Sequence, residues 1–199
     1  MSIARSGFAA IVLAFVSFAA PAQAQSDETL LLHNVRILHL DREEASVDKA
    51  MSILIEDGRI ASVTPIEKTS EAGVATVIDG HGRFVMAGLT DMHVHIWDRS
   101  SLGAYLASGV TTVRNASGMP FHLRLADRIE RGEIVGPRLI TTGPILNSPG
   151  PNAQINHEMV TTAEEARQAV RRQYEAGFRR LKVYSNLTSE AYEAILHEA

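Results

Sequence analysis

Apolar residues come in short, mostly alternating runs over the first part of the chain. Over the last part they recur at three- and four-residue spacing. Leu30-Leu31-Leu32 and Val35-Arg36-Ile37-Leu38 read as strands. So do Ser52-Ile53-Leu54-Ile55-Glu56 and Arg59-Ile60-Ala61-Ser62-Val63. Asp57-Gly58 between them suits a tight hairpin, because glycine tolerates positive φ. Thr76-Val77-Ile78-Asp79 and Arg83-Phe84-Val85-Met86 add two strands, with Gly80-His81-Gly82 as the turn joining them. Several short strands with glycine turns predict a small β-sandwich over residues 25–86.

The pattern changes at Val85 to Trp97. Alternate residues of a strand share a face. Asp91, His93 and His95 therefore project one way, with Trp97 next in line, while Met92, Val94 and Ile96 project the other way. From there strands and helices alternate. Leu102 to Ser108 reads as a helix stopped by Gly109, and Val110 to Asn115 as a strand. Phe121 to Glu133 reads as a helix and Arg138 to Thr142 as a strand. A long loop follows from Gly143 to about Val160. The next helix opens at Thr161, has capping-box spacing at Thr162 and Glu165, and stops at Gly177. Arg179 to Tyr184 is a fourth strand, and a last helix runs from Thr188 to Ala199. This order predicts parallel strands with crossover helices over residues 87–199.

Composition narrows the function. The chain is 45% hydrophobic and 21% charged, which is ordinary for a globular protein. A formal charge of -4, with no basic stripe, argues against a nucleic-acid partner. The absence of cysteine excludes disulfides, thiolate metal sites and a cysteine nucleophile. Residues 1–24 have the pattern of an export signal. Arg5 supplies the positive start, Gly7 to Ala20 the apolar core, and Ala22-Gln23-Ala24 the small-x-small cleavage site. The mature chain is expected to begin at Gln25, in the periplasm or outside a bacterial cell. The apolar core is too short to remain as a stable membrane anchor.

Two imidazoles on one strand face can hold a zinc-like ion, because neutral histidine nitrogen suits borderline divalent metals. His33, His39 and His81 fall among the early strands and read as surface or structural. His197 lies on the last helix and is not taken as a ligand.

Several stretches together resemble the amidohydrolase superfamily, in particular its exported prolidase-like and imidazolonepropionase-like members. They are Glu56-Asp57-Gly58-Arg59-Ile60, Val77 to Gly82, Ala87 to His95, Gly109 to Arg114, and Leu181-Lys182-Val183-Tyr184. The resemblance implies an α/β fold: the N-terminal half of a (β/α)8 metal-dependent hydrolase barrel, preceded by the small β-sandwich. A barrel of this kind takes about 250 residues. The chain is thus expected to be the N-terminal part of a longer enzyme, inactive and poorly stable alone, with pairing of two half-barrels into a homo-oligomer as a further reading.

The resemblance makes His93 and His95 metal ligands. It makes Lys182 a carbamate bridging a second ion, giving one or two divalent ions, zinc the first choice. Carbamylation needs a neutral amine, which burial favours. Asp91 is read as orienting a ligand, or as an ordinary polar residue at the strand mouth. Substrate contacts are expected at the C-terminal ends of strands, from Trp97, Asn115, His157 and Tyr184. For His157 and His122 the other reading is an exposed loop histidine. The implied reaction is hydrolysis of an amide-type C–N bond in a small molecule, such as a dipeptide or N-acyl amino acid, by metal-activated hydroxide. No general base is expected within this chain. The alternative is a non-catalytic binding or scaffold protein on the same fold, or an inactive fragment of such an enzyme.

Overall fold

The structure, a computed structural model, describes residues 29–40 and 43–199. The expected export signal, residues 1–24, lies outside them. The chain falls into two compact units, divided between Met86 and Ala87.

The first unit has four strands: β1 (Leu30–His39), β2 (Ser46–Glu56), β3 (Arg59–Pro65) and β4 (Thr76–Val85). They form one sheet in the order β3-β2-β1-β4. The β1–β2 and β2–β3 pairs are antiparallel, whereas β1 and β4 run parallel. Asp57 and Gly58 have φ of 49° and 70°, the left-handed pair that a two-residue hairpin requires. The described residues thus make a single four-stranded layer. A second sheet, which a sandwich needs, is not among them, because β4 adds to the free edge of β1.

Gly80-His81-Gly82 is not a turn between two strands. β4 runs through it, and its pairing with β1 shifts register between His33 and Val35. His81 and Gly82 take φ of 51° and 67°, and Asn34 opposite takes 56°. Asp79 holds the bulge by accepting the His81 N–H at 2.7 Å and the Asn34 amide at 3.4 Å. A Cβ on Gly80 would lie 2.5 Å from Val35 Cγ1 and 2.9 Å from the Asn34 carbonyl oxygen, so only glycine lets the strands approach. His33, His39 and His81 lie close to Ser52, Asp48 and Asp79 respectively, as structural histidines do.

The second unit alternates strands and helices: β5 (Leu89–Val94), α1 (Leu102–Ala107), β6 (Val110–Asn115), α2 (Pro120–Glu130), β7 (Arg138–Thr141), β8 (Ile145–Asn147), β9 (His157–Met159), α3 (Ala163–Glu175), β10 (Lys182–Val183) and α4 (Ser189–Glu198). Two parallel sheets result, β5-β6-β7 and β10-β8-β9. They meet at a bend after β7. There Thr142 donates its N–H to the Asn115 carbonyl at 3.0 Å, and Gly143 donates to the Arg180 carbonyl at 2.9 Å. The chain thereby hands its pairing from β6 to the β10 segment. The expected long loop therefore contains two short strands. The expected fourth strand is assigned only at Lys182 and Val183, and one more bond, Tyr184 N–H to the Leu146 carbonyl at 3.0 Å, extends it.

Sequence chemistry sets the helix ends. Gly109 has φ of 77° just past α1. Pro120 opens α2, where a missing N–H costs nothing. The Thr162 hydroxyl accepts the Glu165 N–H at 3.2 Å, and the Glu165 carboxylate returns a bond to the Thr162 N–H at 3.3 Å, closing the capping box of α3. Thr188 caps α4 by accepting the Ala191 N–H. Two apolar cores follow. Val94, Ile96, Leu102, Val113, Leu125 and Leu139 fill one. Leu146, Val160, Val170 and Ile195 fill the other, with Ala166, Ala169, Ala191 and Ala194 on α3 and α4. Met92, expected with Val94 and Ile96 on the buried face, is instead 53% exposed.

Candidate metal centre

β5 ends in the site. Val94 and Ile96 are anchored in the core, so His93 and His95 stand on the opposite face. Their ring centroids are 5.2 Å apart and the planes are inclined by 64°. Trp97 stacks on His95 at 6.4 Å. Lys182, almost ninety residues further on, reaches the same cavity of about 250 Å³. Burial holds the His95 pKa below the ordinary histidine value, and the proximity of His93 and Lys182 acts in the same direction. A depressed pKa favours the neutral imidazole, the form that donates a lone pair to a metal.

The other walls come from Trp97, Ser117, Ile145, Gln154, Asn156, His157 and Tyr184. Trp97, His157 and Tyr184, three of the expected substrate contacts, thus line the same cavity as His93, His95 and Lys182. His157 is not an exposed loop histidine. It is 9% exposed and starts β9. Its Nδ1 lies 3.2 Å from the Asn147 amide nitrogen, and its ring meets Tyr184 at 5.1 Å. Burial lowers its pKa. Ser117 and Asn156 are joined at 3.0 Å across the cavity wall. Ser117 reads in the sequence only as the close of a strand. Its place just past the C-terminal end of a parallel strand was the available clue.

Two residues do different work from that expected of them. Asn115 is fully buried and does not reach the cavity. Its Oδ1 accepts the Ile96 N–H at 2.9 Å, and its amide donates to the Ser117 carbonyl and the Thr141 hydroxyl. Buried and bonded at both its oxygen and its nitrogen, the side chain is not presented to substrate. His122 is also fully buried. Its Nδ1 accepts the Met119 N–H at 2.9 Å, and its Nε2 donates to the Ile96 carbonyl at 2.7 Å. Asn115 and His122 therefore tie down both main-chain polar groups of Ile96, the residue between His95 and Trp97. Asp91 does not line the cavity. Its carboxylate accepts the His93 N–H at 3.0 Å and fixes the backbone that carries that ring.

Among the described residues no group of three or more His, Asp or Glu side chains converges as a metal site would require. Two imidazoles supply two donors, fewer than the three protein ligands of a catalytic zinc. An ammonium at Lys182 would repel a cation. A carbamate there would be an anion with two oxygens, so the donor set fits a divalent ion once Lys182 is carbamylated.

No family model matches the chain. An enamidase from Eubacterium barkeri is 34% identical over 93 residues, which is 42% of this chain and 24% of the enamidase. An imidazolonepropionase from Stenotrophomonas maltophilia is 36% identical over 66 residues, 33% of this chain and 16% of that protein. The matches thus span a quarter or less of these relatives. The crystal structure of a Bifidobacterium longum protein assigned as a prolidase superposes with a TM-score of 0.78 at 30% identity. That match covers 87% of this chain and 47% of the other. Sequence and fold comparisons alike support an amidohydrolase superfamily member, and the chain spans about half the length of that solved relative.

Proposed function

We propose that the whole protein is a metal-dependent hydrolase of an amide-type C–N bond. The matched relatives are amidohydrolases acting on such bonds, and superfamily members generally use divalent metals. One observation carries the reading for this chain: His93, His95 and Lys182, remote in sequence, line one cavity. His93 and His95 would hold the first ion, and Lys182, as a carbamate, would help to hold a second. When bound, the ions would supply an acidified water and a positive charge for the carbonyl oxygen. Zinc takes both imidazole nitrogen and carboxylate-type oxygen as ligands.

This chain's residues then divide the work. Asp91 fixes the backbone of one ligand. Trp97, His157 and Tyr184 wall the substrate. A dipeptide or N-acyl amino acid is the substrate class, a reading supported by the likeness to the Bifidobacterium protein. The parallel strands and helices of residues 87–199 form the first half of a (β/α)8 barrel in this reading. The pattern at residues 1–24 directs the enzyme out of the cytoplasm.

The test is metal analysis of the full-length enzyme, purified with zinc and bicarbonate. About two ions per chain are expected, as in two-metal hydrolases. H93A/H95A should lose both, and K182A should lose at least one. Metal content unchanged by H93A/H95A would refute the assignment. No bound metal in the wild type would turn the reading toward a non-catalytic binding protein.

A further inference from the structure

We propose that Asn147 is a positioning residue: it holds His157 in the neutral Nε2–H tautomer and makes it a hydrogen-bond donor to a carbonyl or carboxylate oxygen of substrate. The inference rests on the hydrolase reading only for the word substrate; the tautomer follows from the hydrogen bonds alone.

Asn147 is fully buried at the end of β8. Its Oδ1 lies 3.0 Å from the Asn186 main-chain nitrogen, which can only donate. That contact fixes the amide: oxygen toward Asn186, nitrogen toward His157. The amide nitrogen can only donate in turn, so His157 Nδ1, 3.2 Å away, must accept. A ring nitrogen that accepts carries no proton. The imidazole is therefore neutral and its proton sits on Nε2. Turning the amide over would set N–H against N–H at Asn186 and oxygen against the Asn152 carbonyl, which the amide nitrogen meets at 3.5 Å. Asn186 is held as well, its amide donating to the Ser148 carbonyl at 3.2 Å. Nε2 has no protein partner among the described residues, and the ring lines the cavity shared by His93, His95 and Lys182. An N–H left open beside a candidate metal pair calls for an oxygen acceptor. It also excludes His157 as a third ligand through Nε2, which would need a lone pair there.

Long-range ¹H–¹⁵N spectra of the full chain at neutral pH test this, with the His157 signals identified by their loss in H157F. The wild type should show Nδ1 unprotonated and Nε2 protonated. In N147D the carboxylate accepts, so the proton should move to Nδ1. Nδ1–H in the wild type, or an unchanged tautomer in a folded N147D, overturns the assignment. If N147D does not fold, the wild-type spectrum decides alone. Zinc should move the His93 and His95 signals and leave His157 Nε2–H in place; loss of that proton would also overturn the proposal. Zinc that moves neither His93 nor His95 counts against the metal reading and leaves the tautomer assignment standing. N-acetylglycine should shift the wild-type Nε2–H signal, and no shift would remove the substrate-oxygen half of the proposal.

Discussion

Ile96 shows how the site is held in place. Its N–H and carbonyl are both bound by side chains from later elements, Asn115 and His122. A strand end has no such partners of its own, and His95 and Trp97 on either side would otherwise move with it. His122 adds a pH term. Burial lowers its pKa below the ordinary histidine value, although the Ile96 carbonyl pulls the other way. The unfolded chain then takes up a proton near pH 6.5 that the folded chain resists. The stabilisation is complete above about pH 6.5 and is lost as pH falls below it. Urea midpoints at pH 7.5 and 5.5 should show a larger drop for the wild type than for H122Q. Equal drops would remove His122 from the account; the subtraction is needed because His95 and His157 are lowered too. At pH 7.5, H122A should cost about 2–4 kcal/mol, from a cavity and two orphaned main-chain groups. That His93 and His95 share a face was legible in the sequence because the alternating Val94 and Ile96 reveal the strand period. Asn115 was not. An asparagine at a strand mouth reads the same whether it faces a ligand or returns to the neighbouring main chain.

At the scale of elements, the bend between β7 and β8 decides where Lys182 lies, because it moves strand pairing from β6 to β10. Gly118 packs against that bend. Its N–H donates to the Gly143 carbonyl at 3.1 Å, and a Cβ on it would lie 1.6 Å from the Thr142 carbonyl oxygen. Main chain cannot swing aside as a long side chain can. G118A should therefore cost about 3 kcal/mol, the upper end for overpacking, and should disturb the cavity as well. Gly103 is the control. It lies within α1, and a Cβ there meets nothing within 4 Å. G103A should stabilise by about 0.5–1 kcal/mol through helix propensity. Chemical denaturation of the two variants checks both signs. The same contrast explains what was legible. The capping box of α3 is a local rule written in Thr162 and Glu165, so the sequence shows it. β8 and β9 span three residues each, too few for a period to register. The bulge at His81 looks like a turn until Asn34, from a distant strand, is seen matching it.

At the scale of the molecule, the first unit depends on β1, which pairs with β2 on one edge and β4 on the other. Its described contacts begin just before Leu30. The Thr29 carbonyl accepts the Thr76 N–H at 3.1 Å, and its hydroxyl accepts the Ala75 N–H at 2.8 Å. Leu31, paired with both Leu54 and Val77, is only 2% exposed. A cut between Ala24 and Gln25 falls before all of these bonds, so removal of an export signal there leaves the sheet with every contact described. A cut seven residues later does not. It removes Thr29, the first rungs on both edges of the central strand, and a buried leucine worth about 2–5 kcal/mol. Deletion of residues 1–24 keeps all of these bonds, and its product is the reference for the thermal midpoint of the first unit. Deletion of residues 1–31 should lower it by about 8 °C or more, at 4–8 °C per kcal/mol. The intact mass of the protein exported by a bacterial host should correspond to a chain starting at Gln25. Equal midpoints for the two deletions would mean that β1 does not support the sheet as its two-sided pairing requires.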